Sequence, residues 1–279
     1  MSPRHREALA HLTLGLQESG GFVMLTGEVG TGKTTVSRKL LQELSERTQV
    51  ALIINPTLSA LELMATVCDE FGLTYPAQAS LKQFTDLILH KLADNHQAGI
   101  NTVLMIDEAQ HLLPEVLEQL RLLTNLETNR EKLLKVVLIG QPELQQLLRR
   151  NELRQLAQRV TARYHLLPLN QQEVSLYVAH RIQVAQGDPM IIHPAAIPFL
   201  FQISGGIPRV INLLCDRALS IAYSQQKPRV DRLIMAAASQ QVLGDEIVKQ
   251  RHIEQWKIRY CLSAAIGLCV GIVLGVLYA

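Results

Sequence analysis

The chain has 279 residues, 48% of them hydrophobic and 19% charged, enough to bury one large core or two modest ones. A formal net charge of +2 gives no dense basic face of the kind that nucleic-acid binding wants. The four cysteines (Cys68, Cys215, Cys261, Cys269) form no C-x-x-C pair and the nine histidines show no H-E-x-x-H or similar spacing, so neither a disulfide framework nor a protein-built transition-metal site is expected.

The opening "MSPRHREALAHL" carries basic residues without a following apolar run, so it is not a signal peptide. From residue 21 onward, β-rich and helix-period stretches alternate. Strands are expected at 21–27 (GFVMLTG), 50–56 (VALIINP), 102–107 (TVLMID), 135–140 (KVVLIG) and 163–169 (RYHLLPL). Helices are expected between them at 33–47, 59–71, 80–93, 113–128 and 142–151. Such alternation predicts an α/β fold with a parallel sheet between helical layers. Beyond Leu169 the β runs stop, and 171–186, 194–203, 207–225 and 229–242 read as helices broken at "GDP", "SGGIP" and "QKP". The expected organisation is therefore an α/β nucleotide-binding core over 1–169 and a small all-helical domain over 170–244.

The segment "GEVGTGKT" at 27–34 fits G-x-x-x-x-G-K-[ST], placed between an apolar strand and a helix. Gly27, Gly30 and Gly32 allow backbone N–H groups to turn around phosphate oxygens, and the helix N-terminus adds its positive dipole. Lys33 would neutralise β/γ-phosphate charge and the Thr34 hydroxyl would ligate Mg²⁺. Glu28, Val29, Thr31 and Thr35 complete the expected nucleotide-binding segment. The strand "TVLMID" then delivers Asp107 and Glu108 to its carboxyl end, where open α/β sheets place their ligands. Asp107 is expected in the Mg²⁺ shell and Glu108 as the general base that polarises the attacking water. A chain that only bound nucleotide would have no use for Glu108.

In "VVLIGQPEL", Gln141 could reach the attacking water as a γ-phosphate sensor, or the segment could simply turn into a helix opened by Pro142. Further on, "LRQLAQRVTARYHL" puts Arg154, Arg159 and Arg163 ahead of the last expected strand. One of them could neutralise transition-state charge in a neighbouring subunit, while others are solvated basic residues on a helix. Arg209, at the start of a helix after "SGGIP", could fold back onto bound phosphate.

Taken together, the phosphate loop, "LMIDE", "IGQPEL", the arginine segment and "GGIPR" over residues 20–242 resemble the AAA+ ATPase superfamily. The resemblance implies an oligomeric ATPase using ATP and Mg²⁺, with a helical lid. It favours Arg163, then Arg159, as the trans-acting arginine, and matches Arg209 to the lid's sensor arginine. More narrowly, "SPRHREALAHL", "LTGEVGTGKTT", "IDEAQ" and "GGIPRVINLLCDRAL" are similar to the inner-membrane ATPases of type II secretion and to related pilus-biogenesis ATPases. That likeness implies assembly of a secretin or pilus machine alongside a single-pass membrane partner of the secretion pathway protein B type. In that family, residues ahead of "SPRHREAL" help form the adenine side, and longer members continue into a periplasmic wall-binding region. This sequence opens at that segment, so either its start is miscalled or its adenine contacts are incomplete, and the wall-binding region is not carried over.

Residues 260–279 are twenty without a charge, about 30 Å as a helix, or one hydrocarbon core. From Lys249 to Arg259 the bases Lys249, Arg251, Lys257 and Arg259 stand against one acid, Glu254, so 245–259 reads as a basic juxtamembrane segment. By the positive-inside rule that flank and the ATPase are cytoplasmic, which makes a C-terminal transmembrane helix at the bacterial inner membrane the expectation. Ser263, Gly267, Gly271, Gly275 and Ala279 recur every fourth residue, a small-residue stripe suited to close helix pairing. The sequence thus predicts a membrane-anchored Mg²⁺-dependent ATPase. The alternatives are a DNA-transaction ATPase of the transposition type and a nucleotide-gated scaffold with little turnover.

Overall fold

A computed structural model describes residues 1–17, 21–54, 56–125 and 132–244. The described chain divides into two compact units that meet at Leu167 and Pro168.

The first unit is built on strands that read as apolar runs because both of their faces are covered. These are β1 (Phe22–Gly27), β3 (Asn101–Ile106) and β4 (Lys135–Gly140), almost wholly buried. The flanking strands β2 (Thr48–Ile53) and β5 (Val160–Leu166) are only partly buried. All five are parallel, in the order β2-β3-β4-β1-β5. Strand alternation sends Phe22, Met24, Leu104, Ile106 and Val136 to one face and Val23, Leu25, Val103, Met105 and Val137 to the other.

Helices α3 (Ala60–Glu70), α4 (Leu81–Gln97) and α5 (Pro114–Leu123) cover the first face with Leu63, Val67, Ile88 and Leu117. Helices α1 (Pro3–Gln17) and α2 (Lys33–Glu43) cover the second with Ala8, Leu12, Val36 and Leu40. Capping boxes at Ser59/Glu62 and Ser80/Gln83 start α3 and α4, and Pro114 opens α5. Two short helices, α6 (Glu143–Leu148) and α7 (Arg154–Gln158), lead into β5.

Two departures from the sequence reading stand out. The last strand runs from Val160, not Arg163, because its ladder with β1 pairs Phe22 with Val160 and ends with Gly27 opposite Leu166. Helix α1 was not foreseen: its apolar positions are broken by exposed polar ones, and only its packing on β1 and β5 makes it an element of the core.

The second unit is helical: α8 (Gln171–Val184), α9 (Ile197–Ser204), α10 (Pro208–Ser224) and a helix over 232–244, here α11. Its own core gathers Val174, Leu200, Ile203, Ile211, Leu214 and Met235. Gly206, between α9 and α10, has φ +74° and sits so close to Leu169 that an added Cβ would lie 1.9 Å from the Leu169 carbonyl oxygen. The Leu169 N–H donates to the Gly206 carbonyl at 2.9 Å, locking the entry of this unit to its α9–α10 turn. Cys68 and Cys215 are free thiols, pushed by burial to pKa values of about 11 and about 12, which makes them inert packing groups.

The expected juxtamembrane segment 245–259 and transmembrane helix 260–279, with Cys261 and Cys269, lie outside the described residues. Among the described residues no helix is long and apolar enough to cross a membrane.

Candidate active site

The chain crosses from β1 over β4 and β3 to β2 before returning, so β1 lies where the direction of winding reverses. At such a switch point the carboxyl ends of neighbouring parallel strands leave a crevice. The loop after β1, the acidic pair after β3 and Gln141 after β4 follow three adjacent strands.

The loop over 27–32 turns directly into α2, whose first residue is Lys33. Gly32 holds φ +103°, which an L side chain resists, and this lets the last peptide of the loop swing into the helix. Thr31 tightens the turn by donating its hydroxyl to the Glu28 carbonyl at 2.8 Å. Lys33, only 7% exposed, donates from Nζ to the carbonyls of Gly27 at 2.8 Å and Glu28 at 3.2 Å. Burial pushes its pKa down, while Glu108 and Asp107 pull it back up. The ammonium is therefore held at the loop with both acids near enough to act on it. Glu28, Val29, Thr34 and Thr35 are exposed around it and Gly30 is half-buried.

Asp107 follows directly on β3, and its N–H donates to the Ile53 carbonyl of β2 at 2.9 Å. Its Oδ1 accepts the Glu108 N–H at 2.9 Å. Burial raises its pKa, and the Glu108 charge adds to this. Its ionised form is thus under-compensated by the protein, and an oxygen-ligating dication would supply the missing charge. With the exposed Thr34 hydroxyl on the first turn of α2, the donor set fits Mg²⁺.

Glu108 takes a left-handed backbone conformation, φ 53°, uncommon for a residue with a side chain and held here by the turn that begins at Ala109. Its Oε2 accepts from Gln110 Nε2 at 2.6 Å and from Gln141 Nε2 at 3.3 Å. The Gln110 bond in particular holds the Glu108 carboxyl below the ordinary range, against the opposing effect of burial. Gln110 also accepts the Gln141 N–H at 3.0 Å through Oε1. The structure thus joins Glu108 and Gln141 through a residue that sequence reasoning passed over. Its signal lay in plain sight as the Q of "IDEAQ".

The arginines separate. Arg159 donates from Nη1 to the Arg121 carbonyl at 3.1 Å and to Thr124 Oγ1 at 3.3 Å, closing the C-terminal end of α5. Arg163 lies within β5, on the exposed side opposite Met24, and its guanidinium bonds the Ala157 carbonyl. It lines a cavity of about 440 Å³ with Arg149, Arg154, Gln145 and His165. At the wall of this cavity Gln145 donates to Thr26 Oγ1 at 2.6 Å, one residue before the phosphate loop. Arg209 belongs to the helical unit, in the first turn of α10 behind Pro208. On the far side of β5, Tyr164 donates its hydroxyl to Glu7 at 3.0 Å and Arg4 at 3.3 Å, binding the first turns of α1 to the strand that carries Arg163.

Residues 16–148 match the AAA domain family. Over 244 residues the chain is 59% identical to general secretion pathway protein A of Aeromonas hydrophila; the match covers 88% of this chain and 45% of that relative, so the chain spans under half the relative's length. Cdc6p of Pyrobaculum aerophilum is similar in fold with a TM-score of 0.69 at 17% identity, covering 86% of this chain and 68% of that one. The RuvB branch migration motor of Thermotoga maritima is similar with a TM-score of 0.58 at 20% identity, covering 87% and 70%. The region that matches the AAA domain contains the crevice just described, and over most of its length the chain is similar to general secretion pathway protein A.

Proposed function

We propose that this chain is a membrane-anchored, Mg²⁺-dependent ATPase that couples ATP hydrolysis to assembly of a type II secretion machine or a related pilus machine. The observation that carries the hydrolytic reading is Glu108, its carboxylate held by Gln110 at 2.6 Å and within electrostatic reach of the phosphate-loop lysine. In this reading the loop amides and Lys33 bind the β- and γ-phosphates. Glu108 accepts a proton from the water attacking the γ-phosphorus, and the bond from that phosphorus to the β–γ bridging oxygen breaks as ADP leaves. Asp107 and Thr34 would hold Mg²⁺, which supplies charge neutralisation along the phosphates when bound. Gln141 positions the water with Glu108, Arg163 completes the site of a neighbouring subunit, and Arg209 acts from the helical lid. Arg159, engaged with α5, serves the fold.

Support for the secretion role comes from the 59% identity to a general secretion pathway protein. Support for anchoring comes from the charge-free run 260–279 and its basic flank. The partner in this reading is a single-pass membrane protein, and self-association follows from the need for a neighbour's arginine. The test is Glu108→Gln, which should keep nucleotide affinity and lower turnover at least a hundredfold. Equal ATPase rates for the two proteins would remove the hydrolytic assignment.

A further inference from the structure

The phosphate loop also meets a side chain from outside its own segment. His5, on the first turn of α1 and 7% exposed, places its Nε2 3.0 Å from the Thr31 carbonyl oxygen. A carbonyl only accepts, so Nε2 carries the proton. The other ring nitrogen, Nδ1, lies 2.6 Å from the Ser2 hydroxyl, and in the neutral ring it accepts from that hydroxyl. Ser2 is fixed in turn, because its Oγ also accepts the His5 N–H at 3.3 Å. The ring lies so close to the loop that a Cβ added at Gly32 would come within 2.5 Å of Nε2. The tautomer and the orientation of this imidazole are thus set from one side to hold the loop on the other.

A peptide unit is planar and trans, so its carbonyl and the following N–H point in opposite directions. Fixing the Thr31 carbonyl on α1 therefore directs the Gly32 N–H away from α1. Gly32 is the residue that opens α2, and amides at that position in a phosphate loop are the ones an anion meets. We infer that His5 is a positioning residue of the phosphate loop, clamping the Thr31–Gly32 peptide so that nucleotide meets a loop already formed. This rests on the nucleotide-binding reading of the loop, and the experiment separates the two.

Two substitutions in the full chain distinguish a clamp from a packing group. His5→Leu keeps apolar bulk and removes the donor. His5→Gln keeps an amide N–H at nearly the reach of Nε2. In the nucleotide-free protein, hydrogen exchange of a peptide covering 27–35 should be about tenfold faster in His5→Leu than in wild type, and restored to within about threefold by His5→Gln. Affinity for fluorescent ADP should fall by a similar factor in the Leu variant and recover in the Gln variant. Exchange and affinity unchanged by His5→Leu would overturn the inference, as would Leu and Gln variants equally impaired. Failure of the wild type to bind ADP would count against the nucleotide reading alone, with the exchange comparison still deciding the role of His5.

Discussion

Gln110 holds Glu108: the amide nitrogen of the first donates to the carboxylate of the second at 2.6 Å, and this bond is the largest cause that holds the acid below its ordinary range. The two residues are separated by one position in sequence, and Glu108 takes a left-handed backbone where the chain turns between them. In the proposed role of general base Glu108 would need both charge and aim, and the Gln110 bond favours its ionised form and fixes its carboxylate.

Gln110→Ala should lower kcat about tenfold or more with little change in KM for ATP. The sign of its pH effect is defined. The folded pKa of Glu108 is depressed, so the base is available above that pKa and lost as pH falls through it. Removing the Gln110 bond lets the pKa rise, which should move the acid limb of the kcat profile to higher pH. An unmoved acid limb would mean that Gln110 does not tune the base.

Lys33 and Asp107 both pay for burial in the nucleotide-free protein, in opposite senses of charge. The folded pKa of Asp107 is raised, so its contribution to stability is full below the unfolded pKa and is lost as pH rises through the folded one. Asp107→Asn should therefore raise the thermal midpoint of the nucleotide-free protein at neutral pH while abolishing Mg²⁺-dependent turnover. Lys33→Met removes a desolvated ammonium and should leave that midpoint no lower, yet eliminate nucleotide binding. Calorimetry of each protein without and with ADP and Mg²⁺ reads both effects.

The two arginines of the β5 region should part company in a mixing experiment. Arg159→Ala should cost roughly 1–3 kcal/mol of stability through the orphaned carbonyl and hydroxyl at the end of α5. Arg163→Ala should fold normally, lose turnover, and recover part of it when mixed with Lys33→Ala subunits. No recovery in the mixture would count against action in trans.

Much of this was legible in the chain. Strands β1, β3 and β4 announce themselves because buried parallel strands leave few polar positions to confuse the pattern, as in "KVVLIG", whereas the half-exposed β5 blurred its own start. The phosphate loop and the acidic pair were legible because their chemistry tolerates few substitutes at each position. What escaped was whatever depends on side chains meeting across the fold. Helix α1 gains its place from packing on the sheet and from Tyr164, and Gln110 gains its role from a backbone twist at Glu108. Arg159 looked like its neighbours in sequence, and only the end of α5 distinguishes it.

Gly206 was read as a helix break, and its stronger constraint lies in the Leu169 carbonyl against it. Gly206→Ala must move backbone as well as adopt an unfavourable φ, so the helical unit should lose about 3 kcal/mol or more. Urea unfolding measured by a probe in that unit checks it.

Truncation after residue 244 should shift the protein from the membrane fraction to the soluble fraction while leaving the ADP affinity within about twofold. A truncated protein that still sediments with membranes would place the anchor elsewhere.

The attachment of Tyr164 to the first turns of α1 has a mechanical consequence. One end of a single helix is riveted to the edge strand that bears Arg163, and the same end abuts the phosphate cradle through His5. A load applied at the start of α1 is therefore shared between the loop that follows β1 and the edge strand β5, so neither can shift without pulling on the other.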